Sequence, residues 1–466
     1  MKEGYRMFSV EDIISKQNAF YKTGQTKEVT YRKQSLKQLK AVLKANEGAL
    51  VEAMEQDLGK HPLETYMSEL GVLYESIDLM HKKLSVWQKK QRVKTPLFLL
   101  PATSYTQAEP LGQVFIISAF NYPLLLSLDP LVGAIAGGNV AMVALSESTP
   151  KINEVLIKIM SATFPEEYLF FFEGNKEINT EVLTHRFDKL FFTGSSTVGR
   201  SVMAAASRHL TPVTLELGGK SPALVTDKAK LAHAAECVVW GKFLNAGQTC
   251  VAPDYCLVDK KYHEEFIMLV KQQLIAFYGV APLYSEEYGR LANERAIIRL
   301  EQLIKQDQAH VVVGGQVDKE KRYVAPTVLK GTITTPLASM EEEIFGPVLP
   351  ILSYETLEEA LQFIESKEKP LAFYPFTQNS KEASYLTTRL SFGGSTVNDT
   401  ILHLANSHLP FGGVGQSGMG QYHGKASFEC FTHQKSILKR SSFIRLPLMN
   451  PTYSKRKEKV IRFFLK

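Results

Sequence analysis

Four uncharged apolar runs, Val114-Phe115-Ile116-Ile117, Val140-Ala141-Met142-Val143, Leu169-Phe170-Phe171-Phe172 and Leu190-Phe191-Phe192, recur with a turn and a helix-like segment between them. Continuous runs of this kind lack the alternation of a half-exposed strand. They call for a parallel sheet with helices on both faces. The rhythm restarts after Glu216 with Pro222-Ala223-Leu224-Val225, a helix through Trp240, and strands near 255–258, 310–313, 348–352 and 371–376. The sequence therefore predicts an α/β chain with two doubly wound, Rossmann-like domains. Its 466 residues exceed the roughly 250–300 at which a single core stops growing. Ligands of such sheets sit beyond the carboxyl ends of the strands.

Ahead of the first run, residues 17–90 place Leu36, Leu39 and Leu43, then Leu50, Met54 and Leu58, at helical spacing. Residues 93–110 change character, with Pro96, Pro101 and the polar alternation Ser104-Tyr105-Thr106-Gln107-Ala108, which reads as an extended arm. A content of 44% hydrophobic and 22% charged residues is that of an ordinary globular protein. The net charge of +6 is concentrated in residues 455–466 and forms no stripe with interleaved aromatics, so nucleic-acid binding is not predicted. Cys237, Cys250, Cys256 and Cys430 form no C-x-x-C pair, and His403 and His408 have no ligand spacing, so no metal is expected. The start Met1-Lys2-Glu3-Gly4 lacks a signal pattern, and the expected compartment is the reducing cytoplasm. Residues 111–128 are uncharged over nearly a membrane-spanning length. Asn121-Tyr122-Pro123 interrupts them, which reads as strand, turn and buried helix.

Several motifs bear on chemistry. Phe191-Phe192-Thr193-Gly194-Ser195-Ser196-Thr197-Val198-Gly199-Arg200 runs from a strand through glycines into a helix, which is either a phosphate site or a plain turn. Gly413-Val414-Gly415-Gln416-Ser417-Gly418 matches G-x-G-x-x-G literally, but it follows no clear strand and lacks an acid about 20 residues on. It is not a Rossmann fingerprint. Gly219-Lys220-Ser221 is no Walker motif, because Thr214 holds the earlier glycine position.

Cys250 lies in Gly247-Gln248-Thr249-Cys250, and Glu216 in Leu215-Glu216-Leu217-Gly218-Gly219-Lys220. A thiolate can attack an electrophilic carbon, and a carboxylate held among apolar residues can act as its base. Taken alone, such a cysteine is more often a small buried hydrophobe. Asn121 is either turn chemistry or an amide donor for an oxyanion.

Together these segments resemble the aldehyde dehydrogenase superfamily, in particular its class-three branch of short, typically dimeric enzymes. The resemblance runs from Asp57-Leu58-Gly59-Lys60 and Arg92-Val93-Lys94-Thr95-Pro96 through Glu342-Glu343-Ile344-Phe345-Gly346-Pro347 to Leu409-Pro410-Phe411-Gly412-Gly413 and Tyr422-His423-Gly424-Lys425. It implies that Cys250 is the nucleophile, Glu216 the general base and Asn121 an oxyanion donor acting with the Cys250 N–H. For NAD or NADP it implies a pyrophosphate site at Gly194, Ser195 and Gly199. Glu147 would hold the adenosine ribose and Glu343 the nicotinamide ribose, with Phe345 near the nicotinamide.

The implied domains are a dinucleotide-binding domain (residues 1–93 and 112–216), a catalytic domain (217–425), an oligomerisation arm (94–111 with 426–445) and a basic tail (446–466). Residues 426–438 resemble the strand that joins the arm in a homodimer. The implied reaction is oxidation of an apolar aldehyde, aliphatic or aromatic, to its acid through a cysteine thiohemiacetal and thioester. A thiol esterase with weak nucleotide binding and a catalytically silent binding or scaffold protein stand as alternatives.

Ala144-Leu145-Ser146-Glu147 departs from the family's Lys-Pro-Ser-Glu and removes a lysine expected at the adenosine ribose. Phe120 replaces a commoner Trp, and Ser118-Ala119 the usual Gly-Pro. The basic tail reads as solvated in preference to resting on an anionic membrane surface, and it is too short to span one.

Overall fold

The computed structural model describes residues 8–444 and 449–465, so the expectations placed on residues 1–4, 446–448 and 466 lie outside the described residues. A six-stranded sheet has the spatial order Gly418–Met419, Val213–Glu216, Lys189–Thr193, Gln113–Ile117, Val140–Ser146, Leu169–Gly174. All its pairings are parallel except that of Gly418–Met419 on Leu215 and Glu216. A seven-stranded sheet follows, ordered Val311–Val313, Thr327–Thr332, Val348–Tyr354, Tyr255–Asp259, Pro222–Val225, Ala372–Phe376, Gly394–Ser395. Every residue of Gln113–Ile117 and of Val348–Tyr354 is buried, as the uninterrupted apolar runs require.

The Pro123–Gly137 helix carries only Ser127 and Asp129 as polar residues and is almost wholly buried, with Pro123 supplying a preset φ at its first position. Its start lies just beyond the first-sheet strand that leads to Asn121. One further stretch, Lys260–Tyr284, is long and apolar enough to cross a membrane. In the fold its Phe266, Val270 and Leu274 pack inward from the His263–Tyr278 helix.

The arm is a three-stranded antiparallel sheet of Gln91–Val93, Ala102–Pro110 and Thr432–Arg440. Three details differ from the sequence expectation. The strand placed at 310–313 begins at Val311, because His310 closes a short 3-10 turn. The strand placed at 426–438 begins at Thr432. Lys425–Cys430 is a helix that buries Ser427 and Phe428, and Gly133 admits it by lacking a Cβ that would meet Ser427 at 3.0 Å. Gly418–Met419 returns from the second sheet's stretch of chain to the first sheet. The tail forms a helix, Lys455–Phe464, whose Ser454 cap accepts from the Lys457 N–H.

Candidate active site

Asn245, Ala246 and Gly247 carry φ of 52°, 52° and 74°, a left-handed run that turns the chain sharply before Cys250. A Cβ on Gly247 would meet the Gly346 carbonyl carbon at 2.4 Å, so only glycine fits there. The loop is held on several sides. Gln248 donates to the carbonyls of Asn245 (3.1 Å) and Arg290 (3.0 Å) and accepts from the Ala292 N–H (3.0 Å). Tyr374 donates to the Val251 carbonyl at 2.6 Å, and the Tyr122 and Thr249 hydroxyls lie 2.6 Å apart.

Cys250 is only partly exposed at the base of this loop. Burial pushes its thiol up to about 12, helped by the charges of Glu343 and Glu216, while its own N–H and that of Val251 pull the other way. Glu216 is buried with neither carboxylate oxygen bonded among the described residues, and burial raises its pKa well above the usual range. Burial thus disfavours the charged form of both groups. A buried carboxyl left without a hydrogen-bond partner near a thiol is equipped for proton transfer.

Glu343 occupies the notch left by Gly218, where an added Cβ would stand 1.9 Å from its Oε2. Burial, then the charge of Asp254, raise it to about 8, against a hydrogen bond from the Gly219 backbone. Phe345, with φ 44°, meets Phe120 edge-on at 5.9 Å between centroids.

Asn121 is buried, and its Nδ2 donates to the Gln248 carbonyl at 2.9 Å. Its own carbonyl accepts from Asn245 Nδ2 (2.7 Å) and from Lys60 Nζ (3.1 Å). Lys60 is wholly buried and pairs with Glu69 Oε1 at 2.6 Å. Glu69 Oε2 accepts the Leu124 (2.9 Å) and Leu125 (3.2 Å) N–H groups at the start of the Pro123–Gly137 helix. Sequence reasoning missed Lys60, Glu69 and Asn245. The available signal was a lysine directly after Asp57-Leu58-Gly59, where a buried cation needs a partner.

Gly194 and Ser195 stand at the carboxyl end of Lys189–Thr193, and Gly199 lies one turn into the Ser196–Ser207 helix. Ser195 caps that helix. The rejected glycine loop seats against this helix start: Ser196 Oγ donates to the Gln416 carbonyl (3.2 Å) and Arg200 to Gln416 Oε1 (2.6 Å). Thr193 Oγ1 is buried without a partner among the described residues. Glu147 is exposed just past Val140–Ser146, and Ala144 is buried within that strand. Free amides at a helix start, an unpaired hydroxyl beside them and an exposed acid past the neighbouring strand fit a dinucleotide's phosphates and ribose.

Cys250 also faces a cavity of about 170 Å³ whose walls include Leu125, Trp240, Leu244, Ile401, Leu404 and Phe411. The wall is overwhelmingly apolar.

Two Rossmann-like sheets, a partly exposed cysteine on an apolar cavity and a buried unpaired carboxyl define a cofactor-dependent oxidoreductase. The chain belongs to the aldehyde dehydrogenase family, which matches residues 7–437. It is 45% identical to the 4,4'-diaponeurosporen-aldehyde dehydrogenase of Staphylococcus aureus, over 98% of this chain and 99% of that one. It is 41% identical to the dimeric NADP-preferring aldehyde dehydrogenase of Rattus norvegicus, over 93% and 95%. A solved substrate-bound state of Staphylococcus aureus AldH superposes with a TM-score of 0.96 at 44% identity, covering 99% of this chain and all of that one. The chain is an NAD- or NADP-dependent aldehyde dehydrogenase that oxidises aldehydes to acids.

Proposed function

We propose that the substrates are apolar aldehydes, aliphatic or aromatic, and that Cys250 attacks them. The observation that carries this reading is the apolar cavity with Cys250 on its wall. The relative named 4,4'-diaponeurosporen-aldehyde dehydrogenase supports an aldehyde as the substrate.

Cys250 Sγ, its proton released to solvent, adds to the carbonyl carbon as the thiolate. The oxyanion is stabilised by the Asn121 amide and the Cys250 N–H, a kind of contact worth about 3–4 kcal/mol. When bound, NAD or NADP supplies the two-electron acceptor that turns the Cys250 adduct into a thioester. Glu216 then removes a proton from the attacking water, and the acid departs as Cys250 regains its thiol.

Gly194, Ser195 and Gly199 hold the pyrophosphate, Glu147 the adenosine ribose, Glu343 the nicotinamide ribose, and Phe345 packs near the nicotinamide. Residues 1–93 with 112–216 form the cofactor domain and 217–425 the catalytic domain. Through the arm of 94–111 with 426–445 the chain works as a cytoplasmic homodimer. A panel of aldehydes of increasing length, followed by reduced-cofactor absorbance, tests the substrate class. Catalytic efficiency rising with apolar length supports it, and a preference for small polar aldehydes contradicts it.

A further inference from the structure

A buried tyrosine braces each end of the turn that carries the nucleophile. Cys250 and Val251 are the middle residues of that turn, which the Ala252 N–H closes on the Thr249 carbonyl at 3.0 Å. At the Thr249 end the brace is Tyr122, a wall of the apolar cavity. At the Val251 end it is Tyr374, wholly buried in the Ala372–Phe376 strand behind that wall. A phenyl ring fills nearly the same volume, so what the tyrosine adds is its hydroxyl. That hydroxyl donates to the Val251 carbonyl at 2.6 Å and accepts the Ile401 N–H.

Ile401 is the other end of this path. Its side chain walls the cavity beside Cys250, and its φ of 59° with ψ of −35° is a left-handed conformation that a β-branched residue adopts only where its surroundings impose it. The preceding chain is pinned. Asn398 accepts the Thr377 N–H (2.8 Å) and donates to the Thr377 carbonyl (2.9 Å), and Thr400 Oγ1 donates to the Cys237 carbonyl at 2.9 Å. An apolar chain that fills the cavity bears on this strained residue, and one hydroxyl separates the Ile401 N–H from the Val251 carbonyl. We propose that Tyr374 is a positioning residue of the reaction, coupling the Ile401 wall to the Cys250 turn so that an apolar chain in the cavity sets the nucleophile for attack. This coupling rests on Cys250 being the nucleophile toward apolar aldehydes. It adds that the chain contributes to the rate of attack and not to binding alone.

The test measures the saturated burst rate of reduced cofactor, and the half-saturating aldehyde concentration, for a short and a long aliphatic aldehyde. It compares the wild type with Tyr374→Phe, Ile401→Ala and the double variant. In the wild type the long aldehyde is expected to give the faster burst. Tyr374→Phe lowers that burst about tenfold or more, changes the half-saturating concentration less than about twofold, and slows the short aldehyde much less. Ile401→Ala removes the same advantage while keeping its N–H, and the double variant loses no more than either single one, because both act along one path. No advantage of the long aldehyde in the wild type, equal losses for the two aldehydes in Tyr374→Phe, or losses that add in the double variant overturn the proposal. If thermal melting shows that Tyr374→Phe does not fold, Ile401→Ala decides alone, and an undiminished advantage of the long aldehyde overturns it. Peptide mass after quenching the wild type separates the two levels. An acyl adduct on another cysteine removes Cys250 as the nucleophile and this coupling with it, whereas an adduct on Cys250 together with additive losses removes the coupling alone.

Discussion

Lys60, wholly buried, donates its ammonium to the main-chain carbonyl of Asn121 at 3.1 Å while paired with Glu69. Through that contact and the capped helix start, a buried ion pair fixes the height of the amide proposed to meet the oxyanion. Breaking a buried pair costs about 3–5 kcal/mol when one charge is stranded, so the pair is also part of the fold.

Glu69→Gln keeps an acceptor for the helix N–H groups but removes the charge beside Lys60. The expected outcome is a kcat about 10-fold or more lower with KM nearly unchanged, because a misplaced donor weakens the transition state alone. Equal losses in kcat and thermal stability with a matching rise in KM would point to general unfolding.

The charge of Glu343 raises the Cys250 pKa, and Glu343 itself ionises near 8. Above that pH the carboxylate opposes thiolate formation. Glu343→Gln removes the opposition, so the Cys250 alkylation rate with iodoacetamide, mapped by peptide mass, climbs at lower pH than in the wild type. An unshifted or upward-shifted profile contradicts this geometry.

Ala144→Lys restores a cation where the relatives' pattern places one. Cofactor titration is expected to give a tighter dissociation constant in the variant, and equal constants would contradict the assignment.

Trp240 forms part of the apolar wall beside Cys250. Trp240→Ala removes contact surface, and kcat/KM for long aldehydes is expected to fall about 10-fold while short ones change little. A uniform effect across chain length would remove Trp240 from the pocket wall.

Most parallel strands were legible because their apolar runs are buried on both faces, with ends placed within three residues, whereas Thr327–Thr332 was not foreseen. Cys250, Glu216 and Asn121 were legible as chemical types, yet nothing local distinguished them from a buried thiol, a strand end and a turn. Tertiary placement was hidden. Gly418–Met419 is two residues long, too short for any period, and its pairing to Glu216 depends on a chain reversal. Lys60 reads as a surface lysine until Glu69 and the Asn121 carbonyl are seen around it. The tail's composition was plain, but its helix forms from a Ser454 cap and packing on the arm, which hydropathy does not report.

The central claim is an acyl group carried on Cys250 and released by Glu216. Mixing Glu216→Gln with an apolar aldehyde and NAD or NADP, then quenching for intact and peptide mass, measures it directly. The account predicts a burst of reduced cofactor, steady-state turnover lowered about 10²–10⁴-fold, and an acyl adduct on Cys250. Absence of an adduct, its appearance on Cys237, Cys256 or Cys430, or an unchanged steady-state rate would contradict it.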